Sequence, residues 1–245
     1  MAISTSRLAE LAGAVRGRRL VVTVLAAAVA IAAASLLVSR SSLLHLRHLE
    51  VVGTSSLTRA EVVRLAALSS STNVLWFDPR AVERRLESDP WVATATVSRR
   101  LPGTIRISVV ERSPVAMIRD ERGFTLLAAD GVALSTVEAD PALPEIVVVA
   151  GSSARSGIAQ AQAAAATAIA GLDGGRRPAV RRAVVWAGAL TVNLDGGTRV
   201  EFGEPIGIEA KVAAARRILR WATAQRASVA SVNVIAPDSP TATFA

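Results

Sequence analysis

The chain has 245 residues, 51% of them apolar, and a formal net charge of +8. That length holds one large or two small domains, and that apolar share supplies real cores and argues against disorder. It contains no cysteine, which excludes disulfides, thiolate nucleophiles and cysteine metal sites.

The charge is unevenly placed. Residues 1–48 hold six arginines and Glu10, a net of +5, while the rest of the chain is nearly balanced at +3. A basic total can point to nucleic acid, but a balanced large domain does not, so no nucleic-acid partner is expected. Residues 1–19 read as a short basic tail. Leu20–Ser39, LVVTVLAAAVAIAAASLLVS, follows without a charge, a proline or a glycine. At about 1.5 Å per helical residue it reaches roughly 30 Å, the thickness of a bilayer's hydrocarbon core. It reads as a membrane-spanning helix. Ala32-Ala33-Ala34 also offers a signal-peptidase pattern, but a cleaved signal core is shorter, about 7–15 residues. Arg7, Arg16, Arg18 and Arg19 precede the stretch, and Arg40 and Arg47 follow it. That excess puts the tail in the cytoplasm and the remainder outside, a single-pass type II arrangement in the cell membrane.

Arg40–Leu49 is a short link carrying the only histidines, His45 and His48. Two histidines without a third ligand make a poor metal site, and both are expected to be exposed. A strand is predicted from Leu46 to Val52, stopped at Gly53. Thr58, with Glu61 three residues on, is a capping box that opens a helix. Asp78-Pro79 opens a second helix, and Asp89-Pro90 ends it. Trp91–Ser98 and Ile105–Val109 alternate as a hairpin. Pro102-Gly103 suits a type II turn, which tight hairpins avoid, so a longer loop around Arg99 and Arg100 is expected. The order strand, helix, helix, strand, strand predicts a three-stranded sheet with two helices on one face.

Beyond Ser113 the chain reads as β-rich. Strands are predicted at Val115–Arg119, Phe124–Ala128, Gly131–Ser135 and Ile146–Val149, followed by an alanine-rich helix over Ile158–Leu172. A meander of Val180–Trp186, Ala189–Leu194 and Thr198–Phe202 turns tightly at Asp195-Gly196-Gly197. Ile208, Val212, Ala215, Leu219 and Ala222 recur at helical spacing within Pro205–Arg226. Val229–Ile235 and Thr241–Ala245 close the chain as strands. The fold class is α+β: an N-terminal membrane helix, a β-α-α-β-β domain over 45–113, and a β-rich mixed domain over 114–245.

Enzyme patterns fail by position. Lys211 is the only lysine. An S-x-x-K motif would need serine at Ile208, and a phosphate-binding loop would need glycine at Ala210 and Pro205. Gly151-Ser152-Ser153-Ala154 is not a nucleophile elbow. The histidines lie far from any candidate nucleophile. Glu138 with Asp140, and Asp120 with Glu121, fall in apparent turns and read as solvated groups. Trp76, Trp91, Trp186 and Trp221 are spread one per element, which is core or interface packing rather than a base-stacking platform. No catalytic residue, cofactor, metal or small-molecule substrate is expected.

Leu49-Glu50-Val51-Val52-Gly53, Asp89-Pro90-Trp91-Val92, Val97-Ser98-Arg99-Arg100-Leu101-Pro102-Gly103-Thr104 and Val109-Val110-Glu111-Arg112-Ser113-Pro114-Val115-Ala116 together resemble a POTRA domain. Placed after an apolar stretch, they resemble the POTRA of the FtsQ/DivIB family of bacterial cell division. The resemblance implies a non-enzymatic scaffold at the division septum, with other division membrane proteins of the FtsB/DivIC and FtsL kinds as partners. It also implies a partner site on the C-terminal strand, Thr241, Ala242, Thr243, Phe244 and Ala245, and on its neighbour at Val232, Val234 and Ile235. The competing reading is a membrane-anchored extracytoplasmic cell-wall enzyme, such as a peptidoglycan hydrolase. A POTRA of an outer-membrane translocation machine would need several repeats and a long barrel.

Overall fold

The computed structural model describes residues 23–121, 123–138, 142–149, 155–173 and 180–245. The tail over 1–19, the first three residues of the apolar stretch, Asp140 and the tetrapeptide Gly151-Ser152-Ser153-Ala154 lie outside them. The chain divides into two compact units, residues 1–87 with 94–110, and residues 88–93 with 111–245.

In the first unit, α1 (residues 23–39) carries the apolar stretch, and its Val29, Ile31 and Leu37 are 62%, 67% and 74% exposed. Among the described residues no helix is long and apolar enough to cross a membrane. A single 3-10 turn, Ser42–Leu44, follows. Then come β1 (His48–Val52), α2 (Arg59–Ala66), α3 (Pro79–Glu87), β2 (Val92–Arg100) and β3 (Thr104–Glu111). The sheet order is β1-β3-β2, with β1 parallel to β3 and Leu49 opposite Ile105. Thr58 caps α2 as predicted, its hydroxyl accepting from the Glu61 N–H while Glu61 accepts from the Thr58 N–H at 2.8 Å. Period-2 alternation puts Ala95, Val97, Ile105, Ile107 and Val109 in the core with Val62, Ala66, Val82 and Leu86 from the helices. Gly53, at φ +87°, lets the chain leave β1 against the Val109 carbonyl, which a Cβ would meet at 2.1 Å.

Three local expectations are corrected. The first strand begins at His48, because the amides of Leu46 and Arg47 turn instead to the carbonyls of Thr72 and Gly103. Arg99 and Arg100 belong to β2, and the hairpin loop is only Leu101-Pro102-Gly103, where the Leu101–Pro102 bond is cis. His45 is half-buried in an isolated bridge with Asn73, whereas His48 is exposed as expected but opens β1, so the link is part of the domain's framework.

The second unit is a nine-stranded sheet under two helices. Its elements are β4 (Pro114–Asp120), β5 (Gly123–Ala128), β6 (Ala133–Val137), β7 (Glu145–Val148), α4 (Arg155–Leu172), β8 (Val180–Trp186), β9 (Ala189–Leu194), β10 (Arg199–Gly203), α5 (Ile208–Gln225), β11 (Val229–Asn233) and β12 (Thr241–Phe244). The strand order is β12-β11-β10-β9-β8-β7-β4-β5-β6. The predicted meander is β8-β9-β10, and the helices cross over to give parallel pairs at β7-β8 and β10-β11. The main core lies under α4 and α5, around Phe202, Ile169, Leu190 and Leu194. The helices approach closely at Gly171, where a Cβ would stand 2.5 Å from Val212. A smaller cluster of Leu126, Ala128 and Leu134, with Trp91, sits on the other side of β5 from Leu127.

Candidate partner-binding edge

A sheet offers unpaired backbone groups only at its edges. The edge strand β2 of the small sheet is occupied: the N–H of Ala95 donates to Glu87 at 3.0 Å and that of Val97 to Glu83 at 2.8 Å, both carboxylates coming from α3. On β1, Arg59 donates to the Leu49 carbonyl at 2.6 Å, and Arg47, Arg59 and Arg106 line the groove beside it.

β12 is an edge of the large sheet. It pairs with β11 alone, antiparallel, with Thr241 opposite Asn233 and Phe244 opposite Val229. The N–H of Ala245 donates to Ser228 at 3.0 Å. By the alternation of a strand pair, the backbone groups of Thr243 and Thr241 also face β11, and those of Ala242 and Phe244 face outward. Side chains alternate as well. Ala242 packs toward the core, Phe244 shares its face but is exposed at the strand end, and Thr241, Thr243 and Ala245 are exposed on the other face.

Of the other predicted site residues, Val232 and Val234 are fully buried. β11 is an interior strand, paired to β10 on one side and β12 on the other, so these two side chains support the edge from below and offer no contact surface. Ile235 is 53% exposed and lies over Gly203, whose missing side chain makes room for it. The sequence placed Trp221 only among the tryptophans of core or interface packing, not at the partner site. It stands in an edge-on contact with Phe244, ring centroids 5.9 Å apart, and both rings are about half exposed. The available signal was its helical phase, since Trp221 falls off the α5 stripe that ends at Leu219 and Ala222.

The chemistry around this edge is apolar and backbone-polar. Lys211, tested above as the lysine of an S-x-x-K motif or a phosphate-binding loop, is buried with its ammonium donating to the carbonyls of Phe202 and Glu204 at 2.9 and 2.8 Å, where it ties α5 to the end of β10. Among the described residues no group of three or more His, Asp or Glu side chains is arranged to hold a metal.

Residues 44–112 match the family of POTRA domains of FtsQ type. Over that region the chain is similar to the FtsQ/DivIB family. It is 35% identical over 130 residues to the cell division protein FtsQ of Mycolicibacterium smegmatis, covering 53% of this chain and 39% of that one. It is 33% identical over 139 residues to FtsQ of Mycobacteroides abscessus, covering 56% and 44%. Over 72 residues it is 43% identical to FtsQ of Myxococcus fulvus, covering 28% and 25%. The matched part thus spans less than half the length of these relatives. Among solved structures, the major extracytoplasmic domain of the cell division protein DivIB of Geobacillus stearothermophilus is similar over 37% of this chain and 77% of that one, at 19% identity. Its TM-score of 0.27 is too low to carry weight.

Proposed function

We propose that this chain is a member of the FtsQ/DivIB family and a non-enzymatic, single-pass membrane scaffold of the bacterial cell-division machinery. The observation that carries this reading is the FtsQ-type POTRA over 44–112 directly after an apolar helix whose side chains stand exposed. Such a helix is unfavourable in water, at about 25 cal/mol for each Å² of apolar surface, and favourable in hydrocarbon. The stretch 20–39 is therefore read as the anchor, with the N-terminus cytoplasmic, both units outside and the protein gathered at the septum.

The scaffold works by strand addition at β12. An extended segment of an FtsB/DivIC-like or FtsL-like membrane protein pairs with the outward groups of Ala242 and Phe244, while Phe244, Trp221, Thr241 and Thr243 supply side-chain contacts. Val232 and Val234 hold the strand from the core, and Ile235 borders its start. Deleting Thr241–Ala245 should abolish capture of an FtsB-like partner while the rest of the chain still melts cooperatively. Retained capture would rule out the edge. A fluorescent fusion should gather at midcell as cells divide, and uniform envelope staining would rule out the division role.

A further inference from the structure

The foot of the first unit, where α1 ends, is built from three segments bonded to one another. The Ser39 carbonyl, at the last turn of α1, accepts from Nδ2 of Asn73 at 2.8 Å and from Nε1 of Trp76 at 3.2 Å. The chain after α1 is stitched to the same strap, Leu46 N–H to Thr72 at 2.9 Å and Val74 N–H to Leu44 at 2.8 Å. The β2-β3 loop joins through the Gly103 carbonyl, which accepts from the amides of Arg47 and His48 at 2.8 and 3.1 Å.

Each segment turns a large apolar side chain outward. Leu43 is 58% exposed, Leu75 36%, Trp76 64% and Leu101 59%. A surface facing only water has no use for such a cluster. Exposed arginines lie on the same segments or beside them: Arg40, Arg47, Arg99 and Arg100. Arg99 also donates to the Phe77 carbonyl and lies 5.0 Å from the centre of that ring, which joins β2 to the strap. Of the acidic groups nearby, one is engaged away from these arginines and one offsets Arg100. Asp78 caps α3 through the Arg80 amide at 3.0 Å and sits 3.9 Å from Arg84, and Glu50 sits 3.9 Å from Arg100.

We propose that this foot is a membrane seat, in which Leu43, Leu75, Trp76 and Leu101 lie in the bilayer interface and the arginines meet anionic lipid phosphates. The inference rests on the anchor reading of 20–39. Continuity selects the occupant, because the foot begins at the last turn of the apolar helix. Aromatic and arginine side chains are those favoured at headgroup depth. The Trp76 N–H is satisfied by Ser39, which leaves its ring free to face lipid. Seated this way, the POTRA domain is held at a set height and tilt rather than swinging on a flexible link.

The lack of cysteine makes single-site labelling clean. The full chain is reconstituted into phosphatidylglycerol-rich vesicles with a nitroxide at one of Val29→Cys, Leu43→Cys, Trp76→Cys, Leu101→Cys or, as an aqueous reference on α2, Arg64→Cys. Relaxation by oxygen against an aqueous nickel chelate reads depth. The expected order is deep at 29, interfacial at 43, 76 and 101, and aqueous at 64. If 43, 76 and 101 match 64 while 29 stays deep, the seat is refuted and the anchor stands. If 29 also reads as aqueous, the anchor falls and the seat with it. Exchanging Arg40, Arg47 and Arg99 together for glutamine should reduce the depth at 101 to its value in pure phosphatidylcholine. Interfacial readings that emerge only after a partner membrane protein is added would instead assign the foot to protein docking.

Discussion

Arg112 shows how much one side chain of a short motif organises. Its backbone N–H donates to Trp91, its guanidinium donates to the carbonyls of Pro90 at 3.0 Å and Val92 at 2.5 Å, and its Nε reaches Asp130 at 2.8 Å. The Asp-Pro-Trp-Val and Glu-Arg-x-Pro segments are thus one corner, fastened to the β5-β6 turn. Partial burial pushes the Asp130 carboxyl up, but the Arg112 hydrogen bond, the Val132 amide and the Arg112 charge together hold it below the ordinary carboxylate range. A lowered folded-state value stabilises above the unfolded value, and that contribution fades as pH falls through the folded one. Arg112→Ala should cost roughly 2 kcal/mol in denaturant melts, near the low end for charged bonds because Asp130 is 51% exposed. Arg112→Lys should not restore it, since an ammonium cannot reproduce the planar fork. Asp130→Asn should remove the part of acid destabilisation that depends on this corner, and an unchanged acid limb would contradict the assignment.

At the scale of elements, the edges decide what each sheet can do. α3 places Glu83 and Glu87 one helical turn apart, on the stripe facing β2, where they accept the amides of Val97 and Ala95. A carboxylate on an edge amide satisfies the donor and repels the carbonyls of an incoming strand. The pair therefore blocks strand addition at β2, while among the described residues β12 carries no such cover. Glu83→Ala with Glu87→Ala should leave helix content nearly unchanged and produce concentration-dependent self-association by light scattering. A variant that stays monomeric at the highest concentration would show that the edge is blunted by other means.

For the whole molecule, the boundary between units does not fall at one point in the chain. Residues 88–93 group with 111–245, although β2 itself continues into the first unit. A fragment beginning at Pro114 therefore lacks Arg112 and the Asp89–Val92 corner, as well as Trp91 from the cluster with Leu126 and Leu134. It should melt at least about 5 °C below the matching transition of the intact chain. A chain beginning at residue 40 keeps the corner and should not show that loss. Equal melting of both fragments would show that the corner is dispensable.

What the sequence determined by itself is what depends on neighbours along the chain. Hydrophobic period placed nearly every strand and both long helices within a few residues, Thr58 and Glu61 announced their cap, and the ordered motifs pointed to a POTRA of the FtsQ/DivIB kind. Strand partners are a different matter, because they are chosen by contacts between segments far apart in the chain. No local pattern distinguishes β11, buried between two neighbours, from β12 at the rim, so Val232 and Val234 looked as available as Thr243. Only the folded sheet separates them. The same holds for Trp221 beside Phe244, for Glu83 and Glu87 over the β2 edge, and for the three segments that meet under Ser39. Each is a meeting of side chain and backbone brought about by packing, and burial, which decides what a partner or a membrane can touch, exists only once that packing is complete.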